Sequence, residues 1–343
     1  MRVVVVGGGM AGLVLAGTLV RNGVPPIVIE RMPADVRVEG PIMLPFQAYD
    51  ALAELGLLDG IRAAGRDVPP MRGGLPVAVG VARQVVLDAL RAGVDVRFGS
   101  ELTGLLRDGE RVTGVRVRDG GGETEIPADV VVGADGTHSA VRAMAGIEAT
   151  VTRSDTAFVS FRSPVALEEA FLIAFTSDGR QLTVLSWPGG SAGSWQIERP
   201  VGGEVEALAP GVEAFRRAFT HLLPAAAPAL EPVRELRYRE VSEVACDTWW
   251  RPGVALIGEA LHAMNPEAGI GSGLGMGDAQ ALGIAIARNR DDPDLALAEY
   301  ERWRRPALAP YLAVGSQGVR VVRGGALRDD ERWPPVAGPD RKA

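Results

Sequence analysis

The chain has 343 residues, 47% hydrophobic and 23% charged, enough to bury a large core and to form two domains. A net charge of −7 argues against nucleic acid or an anionic membrane surface as the main partner, while leaving room for an anionic small substrate in a local basic pocket. The one cysteine, Cys246, rules out an internal disulfide and suits a reducing cytoplasm; with no Cys/His signature around it, it reads as a buried spectator.

The chain opens on an apolar run, Val3-Val4-Val5-Val6, that breaks into Gly7-Gly8-Gly9-Met10-Ala11-Gly12, so it reads as a strand rather than a signal sequence. An amphipathic segment follows, then a β-branched run, Ile27-Val28-Ile29, that ends on Glu30. Strand, glycine turn, helix, strand and terminal acid are the parts of a dinucleotide site. Gly7 permits the turn, Gly9 lets backbone approach a pyrophosphate, and Gly12 lets the helix sit close on the strand. Met10 and Ala11 open that helix, whose free N–H groups favour an anion. Glu30 suits the two hydroxyls of an adenosine ribose and would repel a 2′-phosphate, so FAD or NAD fits better than NADP.

Residues 47–66 carry apolar positions at helical spacing. Val68–Gly80, rich in Pro and Gly, reads as a linker. Ala82–Ala92 is predicted helical and Val94–Phe98 a strand. Gly114–Arg118 alternates with period two into a Gly120-Gly121-Gly122 turn, which predicts a hairpin. Residues 152–245 shift to an antiparallel pattern, with strands predicted at 157–162, 171–176, 181–187, 195–199 and 237–244 and a helix at 212–223. Helices are predicted again at 274–289 and 295–320, and 324–343 reads as a loose tail. No uncharged apolar window of about eighteen residues occurs, so no membrane span and no stable membrane association is expected. Three scattered histidines with one cysteine give no metal-ligand spacing.

Two further corners answer the first. Gly133-Ala134-Asp135-Gly136 follows the run Val130-Val131-Val132, and Gly258-Glu259 follows Val254-Ala255-Leu256-Ile257. Ligands of open α/β sheets bind beyond the strand carboxyl ends, where such corners converge. Three corners suit an extended ligand such as FAD. Ser139 has no His/Asp partner pattern around it, so a hydrolase reading fails.

On these motifs the chain, over about residues 1–320, resembles group A FAD-dependent monooxygenases of the para-hydroxybenzoate hydroxylase-like superfamily. The stretch Gly133 to Arg142 matches the Gly-Ala-Asp-Gly-x-x-Ser-x-x-Arg pattern at every defining position. The resemblance implies an α/β fold: a Rossmann-like, glutathione-reductase-type FAD-binding domain (1–151 and 246–323) with an inserted antiparallel-sheet substrate domain (152–245) and C-terminal helices. It implies that Gly7, Gly9, Gly12 and Glu30, with Arg31 alongside, hold the ADP half of FAD. Arg83 would approach the pyrophosphate and ribityl region, and backbone near Leu102 the adenine. Asp135, Gly136, Gly258 and Glu259 would extend the site, Glu259 standing where the family has an aspartate on the ribityl hydroxyls. Pro266, Gly269, Gly271, Ser272 and Gly273 would lead a helix N-terminus toward the flavin, with Ile270 and Gly273 replacing the family's Gln and Asn.

The implied activity is insertion of one oxygen atom from O₂ into a small aromatic or secondary-metabolite substrate through a flavin C4a-hydroperoxide, with NAD(P)H as transient reductant. The protein is expected to be cytoplasmic, a monomer or homodimer, and to bind no metal. By the same resemblance the pocket lies between the flavin and the 152–245 sheet, with Phe161, Phe175, Trp187, Trp195 and the loop Gly40–Phe46 as candidate walls; a plain packing role is the simpler reading for each. His262 is implied to be structural or flavin-proximal, and His138 and His221 to be surface residues. No catalytic base is assigned. A dehydrogenase or oxidase, or a non-redox cyclase or isomerase using FAD as scaffold, fits the same residues.

Overall fold

β-branched valines are comfortable in extended backbone and each gains about 1.5–3 kcal/mol on full burial. In the computed structural model, which describes residues 1–69, 78–266 and 269–317, the opening valines form strand β1 (Val3–Val6), buried along its length. Helix α1 (Met10–Arg21) returns the chain to β2 (Ile27–Glu30), parallel to β1. Next come β3 (Pro41–Pro45), α2 (Tyr49–Glu54), α3 (Leu58–Ala63), β4 (Arg66–Val68) and β5 (Ala78–Ala82). The three strands form a small antiparallel sheet in the order β3-β5-β4. The helical segment expected over 47–66 is split, because Gly56 takes φ +74° and turns the chain. The linker expected at Val68–Gly80 begins and ends in strand, and its middle lies outside the described residues.

Helix α4 (Arg83–Arg91) brings β6 (Val96–Phe98) against β2. A meander of β7 (Glu101–Asp108), β8 (Arg111–Asp119) and β9 (Gly122–Pro127) follows; its first strand is an addition to the expected hairpin. β10 (Val130–Gly133) then enters beside β1, and α5 (Ala140–Met144) ends that half of the chain. The second sheet begins with β11 (Thr150–Ser163), β12 (Phe171–Phe175), β13 (Gln181–Trp187) and β14 (Gly190–Glu198). Helices α6 (Gly203–Leu208), α7 (Gly211–Leu222) and α8 (Ala227–Leu230) lead to β15 (Arg237–Ala245). The chain returns through β16 (Trp250–Arg251), β17 (Val254–Leu256) and β18 (His262–Ala263) to helices α9 (Gly271–Arg288) and α10 (Pro293–Gln317). The expected tail, 324–343, lies outside the described residues.

The main sheet runs β16-β17-β10-β1-β2-β6, parallel except for the edge strand β16. After β1 the chain moves to β2 on one side and later to β10 on the other, which makes this the switch point where open sheets bind ligands. Gly7, Glu30, Gly133 and Leu256 all stand at the carboxyl ends of their strands, along one edge. The second sheet runs β12-β13-β14-β11-β15-β18, and alternation gives it two unlike faces. Phe161 and Trp195 point to α7, meeting the fully buried Phe215 and Phe219 in a separate core cluster. Phe158, Ser160 and Arg162 point the other way. No helix among the described residues is long and apolar enough to cross a membrane.

Candidate active site

The first corner is built by what a side chain would collide with. Gly7 has φ +115°, and a Cβ there would lie 2.4 Å from the Ala134 carbonyl oxygen. A Cβ on Gly12 would lie 2.0 Å from the Gly7 carbonyl oxygen, so α1 sits closer to its strand than any other residue allows. Gly9 is different: its backbone (φ −76°, ψ 179°) suits any residue, and a Cβ would meet nothing within 4 Å. It forms a cradle that a side chain would fill. Met10, Ala11 and Gly12 open α1 with N–H groups that the helix does not use, and no side chain caps them. The Glu30 carboxylate is held by the N–H groups of Gly8 (2.7 Å to Oε2) and Met32 (2.8 Å to Oε1), leaving lone pairs for further donors. Arg31 beside it is exposed, and Leu102 lies in β7 opposite Val117.

At the second corner Asp135 has a structural role that the motif alone does not give. Its Oδ2 accepts the N–H groups of Ala140 (2.7 Å) and Val141 (3.1 Å), and its Oδ1 accepts the Ser139 hydroxyl (2.6 Å). The carboxylate is used on the N-terminus of α5, whose amides have no intrahelical acceptor. Asp135 therefore braces the corner, and beside it Gly136 has φ +82° and an unobstructed Cβ direction.

The third corner touches both others. Gly258 has φ +59°, and a Cβ there would lie 3.2 Å from the Ala11 Cβ. Glu259 is exposed and accepts the Thr137 hydroxyl at 3.3 Å, while Arg142 Nη1 donates to the Ala260 carbonyl at 2.8 Å. Gly271, Ser272 and Gly273 form the uncapped first turn of α9. Packing alone requires a small residue at Gly273, where a Cβ would lie 2.7 Å from Pro45 Cγ. At Gly269, φ +65°, it would meet Met43 Cε at 2.1 Å.

Behind this corner Asp278 is fully buried and accepts the Gly258 N–H (3.1 Å), His262 Nε2–H (2.6 Å) and Arg304 Nε–H (2.8 Å). Burial pushes its carboxyl up, but attraction and hydrogen bonds from His262 and Arg304 outweigh that and hold it below the ordinary aspartate range. His262 is thus a structural residue with Nδ1 buried and unpartnered among the described residues. Tyr300 supports the same strand end, donating to the Leu256 carbonyl at 3.1 Å. Cys246 is buried, and burial pushes its thiol up.

A cavity of about 900 Å³ lies between the corners and the second sheet, bordered by Arg83 and Pro266 on one side and Phe171, Ile173, Phe175 and Leu185 on the other. Gly40, Pro41 and Met43 of the expected loop also line it. Among the expected aromatic walls only Phe175 does so. Phe161 and Trp195 belong to the layer against α7, because strand alternation turns them away, and Trp187 is buried at a strand end. The Arg83 Nε is buried without a partner among the described residues. Burial lowers its pKa, the nearby Arg239 and Arg162 add to that, and Glu259 opposes it. Sequence reasoning missed Arg162, Arg237 and Arg239 on the cavity wall, although Arg237-Tyr238-Arg239 in a strand places both arginines on one face. It also missed Gln47, whose buried Oε1 has no partner among the described residues.

An open cradle at Gly9, two uncapped helix starts, an anchored acid and a buried, unpartnered arginine Nε fit a long ligand with a pyrophosphate at its centre. Comparison with known proteins agrees. The profile of the FAD-binding domain family matches residues 1–74 and 79–312. The FAD-dependent urate hydroxylase of Mycolicibacterium vanbaalenii is 26% identical, over 97% of this chain and 91% of its own. The 2-heptyl-3-hydroxy-4(1H)-quinolone synthase of Pseudomonas aeruginosa is 29% identical, over 79% of this chain and 77% of its own. The crystal structure of p-nitrophenol 4-monooxygenase from Pseudomonas putida shares the fold, with a TM-score of 0.78 at 21% identity over 92% of this chain and 87% of that one. The three corners converge on one sheet edge, and the chain belongs to the FAD-binding domain family.

Proposed function

We propose that this chain is an NAD(P)H-dependent FAD monooxygenase that inserts one oxygen atom from O₂ into a small aromatic or secondary-metabolite substrate. The observation that carries the reading is continuity: Arg83 and Pro266, from the dinucleotide corners, also line the large apolar cavity under the second sheet. A cofactor at the corners and a substrate in the cavity would therefore share one space. The relatives support oxygen transfer over a purely redox or scaffold role, since a hydroxylase and a monooxygenase stand among them.

When bound, FAD supplies the redox chemistry: it takes up reducing equivalents and delivers one oxygen atom from O₂. The rest is the work of this chain. The amides of Met10, Ala11 and Gly12, with Gly9 offering no obstruction, would bind the pyrophosphate, and Glu30 the adenosine ribose. Arg83 and Glu259 would hold the middle of the ligand from opposite charges. The first turn of α9 would set a positive helix end toward the flavin ring. The apolar wall at Phe171, Ile173, Phe175 and Leu185 excludes water and orients the substrate.

The test is reconstitution of the purified chain with FAD, followed by NADH and NADPH oxidation against a panel of phenolic and indolic compounds under ¹⁸O₂. Reductant consumption that rises with substrate, together with ¹⁸O in the product, is the expected result. Product formed without O₂ or reductant overturns it, and so does failure to take up FAD.

A further inference from the structure

The cavity wall has a direction. Strand register sets three rows of side chains across the exposed face of the second sheet. One row runs Arg237, Ser160, Ser194, Thr183, Ile173, from β15 through β11, β14 and β13 to β12. The row beside it runs Arg162, Ala192, Leu185, Phe171. On the other side Arg239 stands opposite Phe158. Guanidinium groups thus gather on β15 and β11, with Phe158 beside Arg239; Ser160, Ser194, Thr183 and Gln181 lie between, and Ile173, Phe171, Phe175 and Leu185 form an apolar far end. At a spacing of about 4.8 Å per strand, the five strands span about 19 Å.

The charge at the cationic end is not balanced. Among the described residues lining the cavity are four arginines (Arg83, Arg162, Arg237, Arg239) and a single carboxylate, Glu39. Glu39 is already engaged by Arg162 at 2.5 Å and, more distantly, by Arg237 at 4.0 Å, and Arg237 also meets Glu235 at 3.7 Å. Arg83 is drawn toward Glu259 and stands where the cofactor would meet it. Arg239 has no ion pair or hydrogen bond among the described residues and is close enough to Arg83 for the two to repel. Its guanidinium presents a forked donor set suited to a planar oxyanion, and the apolar wall reduces the screening of whatever it binds.

We propose that the substrate of this site is an amphipathic organic anion: an apolar, ring-bearing body with a carboxylate or equivalent oxyanion, its charged head received by Arg239 and its body lying toward Phe171 and Ile173. This rests on the monooxygenase reading for the word substrate, but the binding it describes is measured without turnover. Arg239 is a specificity-determining residue in this reading.

The probes are 6-hydroxy-2-naphthoate and its uncharged isostere 6-hydroxy-2-naphthamide, titrated by their own fluorescence against the FAD-loaded full-length chain. The acid is expected to bind at least about tenfold more tightly than the amide. Arg239→Gln is expected to weaken the acid about 10- to 100-fold and to leave the amide unchanged, the loss appropriate to one charged hydrogen-bonded pair. Arg239→Lys should recover part of the loss, and Arg217→Gln, on helix α7 behind the sheet, should leave acid binding unchanged. Circular dichroism and melting temperature establish that each variant folds. Equal binding of acid and amide, or unchanged acid binding in a folded Arg239→Gln, overturns the proposal. So does a variant that raises the KM for NADH or NADPH while binding the acid normally, since the cationic end would then serve the reductant. Tight, Arg239-dependent binding with no oxygenated product from any probe would count against the monooxygenase reading alone and uphold the anion site.

Discussion

Neighbouring glycines in the first corner do different work, and substitution separates them. Gly12→Ala puts a methyl into backbone 2.0 Å away, so the strand-helix unit must open, with a destabilisation of about 1–3 kcal/mol or more. Gly9→Ala meets no protein atom; it should melt like the parent and yet lose FAD affinity at least tenfold, as read by flavin absorbance after desalting. Equal melting loss in both would remove the distinction. Asp278 is the residue whose deletion is costliest: Asp278→Ala leaves His262 and Arg304 buried without their acceptor and should cost about 3–5 kcal/mol in a urea titration. Its carboxyl is held below the ordinary aspartate value, near 4, so its contribution is complete above that pH. As pH falls further, toward the lowered native value, the contribution is lost. The acid limb of the stability curve should therefore flatten in Asp278→Asn, whereas an unchanged limb would assign it to other carboxylates.

Elements differed in how legible they were, and the differences have physical causes. The glycine corners announce themselves because close approach and positive φ admit few residues, as at Gly7 and Gly258. The strand β3 did not, since its terminal residues Pro41 and Pro45 lack an N–H and argue against a strand; the structure places it at the edge of its sheet, where such residues are tolerated. The bracing of α5 by Asp135 was not legible, because its motif names the residue type and not the direction of its oxygens. The arginines of β15 were visible in principle through alternation, but their charge gained meaning only when β11 was paired beside them. Helix α7 was predicted nearly to the residue, and its role can be weighed: Phe219, buried against Phe161 and Trp195, should cost about 3–5 kcal/mol on truncation to alanine. A thermal melt with little change would mean that the sheet does not depend on that layer.

For the whole molecule, the face of the second sheet that packs on α7 has its own buried cluster, while Val244 and Ala263 at its other end join the core of the main sheet. FAD that binds only the native state should raise overall stability, by about 2.7 kcal/mol at a hundredfold excess over its Kd, and Gly9→Ala should reduce that gain to about 1.4 kcal/mol or less at the same FAD concentration. A melting temperature indifferent to FAD would contradict the site as drawn. The two-faced second sheet carries a consequence for how such a molecule can diverge. Ile173, Thr183 and Ser160 occupy cavity rows, while their strand neighbours Leu172, Leu182 and Val159 belong to or pack on the core behind. Exchanges at the former leave the latter untouched, so the repertoire of accepted molecules can drift by single substitutions while the fold is held constant by the residues between them.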